Sequence, residues 1–522
     1  MSQPRSTGER RWARLGAAEQ SFGSKKRLVA GPIVLLLLGL SLPALAGGFH
    51  ISILGVRRTG MMTNLGNPDD VTALFHNPAG LADQPGTRLH LSNGITFLNN
   101  QTRLQALDPE RFPEVNPAGC GTGDAAPCPW PIAADGYYTA NFEPERYTGV
   151  IPFLGGSWGL QPLSPKLRGV TVALAAYAPG AYGAYLPEDA PTAYFVVDGL
   201  FLIAQATAGV GWRLDEHFAI GGSLSYSYLR LGYSQKFSMA DVLTPAGEAV
   251  GLGKIGQLLI GDLQMAYVGT DSGFGWGLGA LVTPAPWLSL GVGATGFTAA
   301  RFEGDLEIRG LGTATGEYPP ARSDAELRAL LVELGKGGDA LSFKLPRQLE
   351  VEMPIPPALT AGLSFRPTPA LELGLDLRYW LYRVFEEQEI EPVYDPTEPG
   401  QEPLTRDGLS HDKDYSDSFE VAAGVLYRPL ADPAQLELMA GVAFDKSPVP
   451  DATFSIDNPS MNQVILSCGI RGLLREHWRL GLAYMWIHYL ERDVTTSSSS
   501  PPTNVRISGN SHIPTLELEY LF

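Results

Sequence analysis

The chain has 522 residues and a formal charge of −17, which argues against a nucleic-acid partner. Sixty Gly and 42 Pro suit many strands joined by turns better than a helical protein. Three Cys and eight scattered His show no ligand-type spacing, so neither a metal nor any other cofactor is expected.

Residues 1–46 read as an export signal with an extended n-region. Lys25-Lys26-Arg27 precede an apolar run from Leu28 to Leu45, which closes on the small-x-small site Ala44-Leu45-Ala46. Gly31-Pro32 and Pro43 interrupt that run, whereas a membrane helix needs ~20 apolar residues. The 24 residues ahead of the basic cluster exceed what an n-region needs and point to a downstream start codon. Cleavage after Ala46 removes seven Lys/Arg and two Glu, leaving a mature charge of −22.

Residues 47–87 come before the first alternating run, Leu89–Phe97. They contain Asp69-Asp-Val-Thr-Ala-Leu-Phe-His-Asn77-Pro78-Ala79-Gly80-Leu81-Ala82, rich in small residues with a turn at Asn-Pro. An exposed tail would not need Phe75 and Leu81, so this segment is expected to plug a lumen.

From about residue 88 to 522, short alternating runs recur with turn residues between them. Tight connections fall at 214–217, 284–286, 366–369, 430–433 and 475–477. Long ones span roughly 102–145, 237–271, 309–350, 390–416, 446–460 and 494–503. Short turns on one side and long loops on the other are the asymmetry of an outer-membrane barrel. About fourteen strands are counted, with the weakest patterns around 146–160 and 343–356. Cys120 and Cys128 bracket a short loop in an oxidising setting and are expected to form a local disulfide. Cys468 is then left as a small apolar strand residue.

Two long loops look partly helical. Ser323-Asp-Ala-Glu326 has a capping-box pattern, followed by Leu327, Leu330, Leu331 and Leu334 at helical spacing. Gly253 to Val268 carries Ile255, Leu258, Leu259, Ile260, Leu263 and Met265. Either the two segments pack on each other over the barrel mouth, or Ile255, Leu258, Leu259, Leu327, Leu330 and Leu331 form an outer landing groove for a hydrophobic ligand.

The chain closes on Thr515-Leu-Glu-Leu-Glu-Tyr-Leu-Phe522. Leu516, Leu518, Tyr520 and Phe522 share one strand face, and Thr515, Glu517 and Glu519 the other. An edge strand of a soluble sheet would alternate likewise. Ending on Phe522, however, resembles the C-terminal signal that barrel-insertion machinery reads in bacterial outer-membrane proteins. The resulting fold class is all-β: a fourteen-stranded antiparallel outer-membrane β-barrel facing outer-membrane lipid, with an N-terminal hatch.

Gly48-Phe49, the Asp-Asp-x-x-x-Ala-x-Phe-x-Asn-Pro-Ala-Gly-Leu block, the Gly273–Gly279 strand, the Ala443–Pro450 loop and the terminal Phe together resemble the FadL-type outer-membrane transporters. That resemblance covers about 47 to 522. It implies passive uptake of long-chain fatty acids or, as in relatives, aromatic hydrocarbons. Capture would occur between two outer loops, and release sideways through the wall where the third strand is kinked. The corresponding place here is Tyr177-Ala-Pro179-Gly180, where Pro withholds a ladder hydrogen bond and Gly weakens the strand. The alternative is that the strand simply ends at Tyr177. The resemblance also implies that Phe49 touches ligand and that Arg230, matching the family's strand arginine, pairs with a carboxylate. An ordinary lumen charge is the other reading of Arg230. The family's second cation falls near His411, with Lys413 two residues on, a departure that keeps uncharged hydrocarbons in play.

No enzyme is expected. His488, the best candidate base, shares a strand face with Trp486 and reads as wall. A general porin would not need the segment before the first strand, and a structural barrel is the remaining alternative.

Overall fold

The computed structural model describes residues 53–522 apart from 110, 113, 117–127, 145–147, 239–261, 312–347, 394–410, 433–434, 458 and 500. Among these residues eighteen strands form one antiparallel sheet, and fourteen of them close a barrel. The first seven are β1 (Thr87–Leu104), β2 (Thr148–Gly159), β3 (Val170–Tyr185), β4 (Asp198–Arg213), β5 (Phe218–Phe237), β6 (Asp262–Ala285) and β7 (Leu288–Phe297). Then follow β8 (Ala300–Leu311), β9 (Gln348–Met353), β10 (Ala358–Thr368), β11 (Leu371–Trp380), β12 (Glu387–Val393) and β13 (His411–Asp412). The chain ends with β14 (Ser418–Tyr427), β15 (Leu436–Asp445), β16 (Gln463–Leu474), β17 (Trp478–Val494) and β18 (Val505–Leu521). β18 pairs back onto β1, which removes the sheet's free edges.

β7 pairs with β10 and β11 with β14 around the wall. The four remaining strands, β8, β9, β12 and β13, prolong the sheet beyond it. β8 lies on the upper part of β6, β9 on β8, and β12 on β9. This extension corrects two expectations. Residues 262–271 belong to β6 instead of a long loop, and 262–268 are strand where the aliphatic spacing suggested helix. Residues 251–261 and 323–334 lie outside the described residues.

Alternation dictates the wall. On β11, Leu373, Leu375 and Leu377 are exposed to the outside while Glu372, Asp376 and Arg378 are buried inside. On β18, Leu516 is 62% exposed and Glu519 fully buried, as the two faces of the C-terminal run require. The lumen is graded along its length. Carboxylates and arginines fill the end with the short turns, and residues such as Ile487, Tyr489, Ile507 and Ile513 line the other. Cys468 is free and exposed on the outer face of β16.

Candidate functional site

Residues 53–84 sit inside the barrel. They include α1 (Val56–Met61), α2 (Ala73–His76) and a 3-10 turn, Pro78–Asp83. These helices are too short to hold themselves together in water, so the wall must define them. It does so first by glycine. β6 presents Gly275, Gly277 and Gly279 inward and Phe274, Trp276 and Leu278 outward. A Cβ at Gly279 would overlap the Asn77 side chain, and one at Gly424 the Met61 carbonyl. Close backbone approach is what glycine allows here.

The Asn77-Pro78-Ala79 turn has a specific job. The Asn77 side chain accepts from the Ala79 amide at 3.2 Å, and its Nδ2 donates to the carbonyls of Leu65 at 3.2 Å and Ala280 at 3.3 Å. One side chain thus caps the turn, closes the hatch on itself and ties it to β6.

An ionic layer holds the other side. Arg57 meets Glu372 at 2.5 Å and Asp69 at 3.2 Å; Arg58 meets Glu420 at 2.6 Å. Arg471 meets Asp69 at 2.5 Å and Glu437 at 2.7 Å. The amide of Val56, opening α1, donates to Glu517 at 2.8 Å, and those of Asn64 and Leu65 donate to Asp376 at 2.7 and 3.1 Å. Burial disfavours charge on Asp69, but Arg471 and Arg57 outweigh it and hold the carboxyl well below its usual range.

Above the hatch lies a partly open cavity. Leu74, Phe75 and His76 of the hatch line it, with Tyr177, Gln205, Ser225, Trp276, Phe297, Thr360, Arg378 and Trp380 among the wall residues. Aromatic rings and uncharged hydroxyls dominate. Burial, with Arg378 nearby, lowers the pKa of His76 to about 3, so the ring is neutral and its Nε2 donates to the Leu54 carbonyl at 2.9 Å. Of the lining residues Arg378 alone is a cation. It is already engaged by Glu420 at 2.9 Å and Asn64 at 2.8 Å, with Asp376 at 3.7 Å.

Beside this cavity the wall is incompletely zipped. The β2–β3 ladder stops at Phe153↔Tyr177. Below residue 153, β2 pairs only with β1, and beyond Tyr177, β3 pairs only with β4, among the described residues. β3 does not end at Tyr177; it runs to Tyr185 with a register shift between Tyr177 and Gly180. Ala178 and Pro179, the latter with no N–H, occupy this bulge, and Gly180 resumes the pairing opposite Ile203.

A family model described as outer membrane protein transport protein (OMPP1/FadL/TodX) matches residues 37–522. The chain belongs to this family of outer-membrane transport proteins. Its FadL/TodX-type barrel is accordingly a hydrophobic-compound channel of the bacterial outer membrane. A Pseudomonas aeruginosa FadL homologue is similar in structure, with a TM-score of 0.67 and 15% identity over 91% of this chain and 100% of that one. The P. putida toluene transporter TodX gives 0.60 and 14% over 92% and 99%. The Ralstonia pickettii toluene transporter TbuX gives 0.55 and 14% over 90% and 99%. No curated protein matches the sequence.

Other expected residues fall elsewhere. Arg230 follows Leu224 and Tyr226 in strand parity along β5 and is not among the residues that line the cavity. Lys413 lies beyond the barrel wall after β13, its amide on the Glu386 carbonyl, and does not line the cavity. His488 is on the outer face, its ring 2.9 Å from Asn510. Cys128 is disulfide-bonded. Phe49, Cys120, the His411 side chain and the six outer-groove aliphatics lie outside the described residues.

Reading the sequence missed Arg57, Arg58, Arg378, Arg471 and the acids they meet. Glu372, Asp376 and Arg378 nevertheless recur with period two inside a leucine-faced strand, a pattern that marks charges aimed at a lumen.

Proposed function

We propose that this channel admits uncharged hydrophobic molecules, aromatic ones among them, in preference to long-chain fatty acids, and releases them sideways between β2 and β3. The supporting observation is Arg378. A fatty-acid carboxylate entering the cavity would meet one cation, already neutralised by Glu420 and Asp376. Burying an anion without a free partner is costly. A neutral ring instead meets Phe75, Phe297 and Trp380 and leaves no charge unpaired. The ionic layer below blocks a straight axial exit, and the unzipped β2–β3 wall lies beside the cavity. Toluene is the stated cargo of TodX and TbuX, which agrees with this reading. Passage is passive diffusion. At the rim, Phe522 is 68% exposed beside Tyr520, and we propose it as the tip offered to insertion machinery.

The test is uptake into outer-membrane vesicles lacking other such channels, using labelled toluene and labelled oleate. Toluene entry well above oleate supports the reading. Oleate entry at or above the toluene rate contradicts it.

A further inference from the structure

Tyr177 occupies two places at once. It lines the cavity above the hatch, and it forms the last rung of the β2–β3 ladder, beyond which the two strands part. Its ring is 2% exposed and stacks on Phe153 at 5.4 Å and 18°. From the hatch, Phe75 meets it edge-on at 5.5 Å and 76°, and its hydroxyl lies 2.8 Å from the Thr207 Oγ1 on β4. No other lining residue of the cavity belongs to the end of that ladder.

We infer that Tyr177 is the gate between cavity and wall opening, that Phe75 couples it to the hatch, and that its ring sets the width of cargo that leaves. The proposal rests on the sideways-release reading above. Cargo moving from cavity to opening must pass the plane of this ring. One wall partner, one hatch partner and one hydrogen bond keep the ring across the path. Edge-on and offset aromatic contacts are favoured but weak enough to exchange. Beyond Tyr177 the bulge at Pro179 leaves β3 without a β2 partner, so no ladder hydrogen bond has to break when the ring swings. A displacement of α2 that withdraws Phe75 removes one of the three restraints. Cargo pressing on the hatch therefore loosens its own exit.

The experiment compares uptake of a slim cargo, decane, with a broad one, phenanthrene, in vesicles containing the full-length protein. Tyr177→Ala is expected to raise the phenanthrene-to-decane uptake ratio about tenfold, the discrimination a pocket wall typically exerts. Tyr177→Phe keeps the ring and loses the Thr207 tie; it should speed both cargoes and leave the ratio near its original value. Phe75→Ala should act in the same direction as Tyr177→Phe. An unchanged ratio in a folded Tyr177→Ala barrel overturns the gate while leaving sideways release standing. Should Tyr177→Ala fail to fold, unaltered rates in both Tyr177→Phe and Phe75→Ala overturn it instead. If the unaltered protein admits neither cargo, the transport reading fails and the gate with it.

Discussion

Arg471 on β16 and Asp69 in the hatch meet at 2.5 Å although 402 positions separate them in the chain. The guanidinium also reaches Glu437 at 2.7 Å, so one buried arginine joins plug and wall. Removing one partner from a buried pair strands the other charge, at a cost of about 3–5 kcal/mol. Arg471→Ala is therefore expected to loosen the hatch without dissolving the barrel. Hydrogen exchange should quicken across 53–84, and planar-bilayer recordings should show a small-ion leak. Unchanged exchange in that segment would contradict the assignment.

The inward glycines make a steric prediction. Gly424→Val would drive a side chain into the Met61 carbonyl, and overpacking of this kind costs about 1–3 kcal/mol. Gly222 is the control, since a Cβ there finds nothing nearer than Leu278 at 3.7 Å. Hatch protection should fall in Gly424→Val and stay level in Gly222→Val. Equal effects would mean that strand propensity, not hatch contact, is being measured.

His76 supplies a pH dependence. Burial, then Arg378, lowers its pKa from 6.5 to about 3, and Arg58 and Asp70 also act on it. The unfolded hatch binds this proton at higher pH than the docked hatch, so docking is fully favoured above pH 6.5 and weakens as pH falls toward 3. The slope is at most about 1.4 kcal/mol per pH unit. Between pH 6.5 and 4.5, exchange in 53–84 should accelerate, and His76→Gln should flatten that part of the profile. A slope retained in His76→Gln would place the dependence elsewhere.

Arg230→Ala should leave uptake of toluene and of oleate unchanged within error, because Arg230 does not line the cavity. A selective loss of oleate would return the carboxylate to that arginine and contradict the placement.

The barrel was legible because its cause is local. Period-two alternation in runs such as Leu371–Trp380 and Val505–Leu521 is imposed by lipid on one face and a lumen on the other. The hatch was legible through Phe75, Leu81 and the Asn-Pro turn. The prolonged strands were not, because Asp262–Thr270 carries aliphatics on both faces, and periodicity cannot then separate strand from helix. The strand parity of Arg230 was not legible for a similar reason. Matching a position to a family says nothing about parity along a strand, and one residue of slip exchanges inside for outside. The ionic layer pairs residues hundreds of positions apart, and no local pattern names such partners.

Sideways release takes cargo through the wall between β2 and β3. Between Tyr177 and Gly180, β3 advances three residues while β4 advances two, from Gln205 to Ile203. Deleting Pro179 removes the one extra residue and should let β3 zip onward against both neighbours. The decisive measurement is toluene uptake by the Pro179-deleted protein in vesicles, with folding verified by its unheated gel mobility. A fall to the background of empty vesicles is the predicted result. Uptake at the rate of the unaltered protein would contradict sideways release.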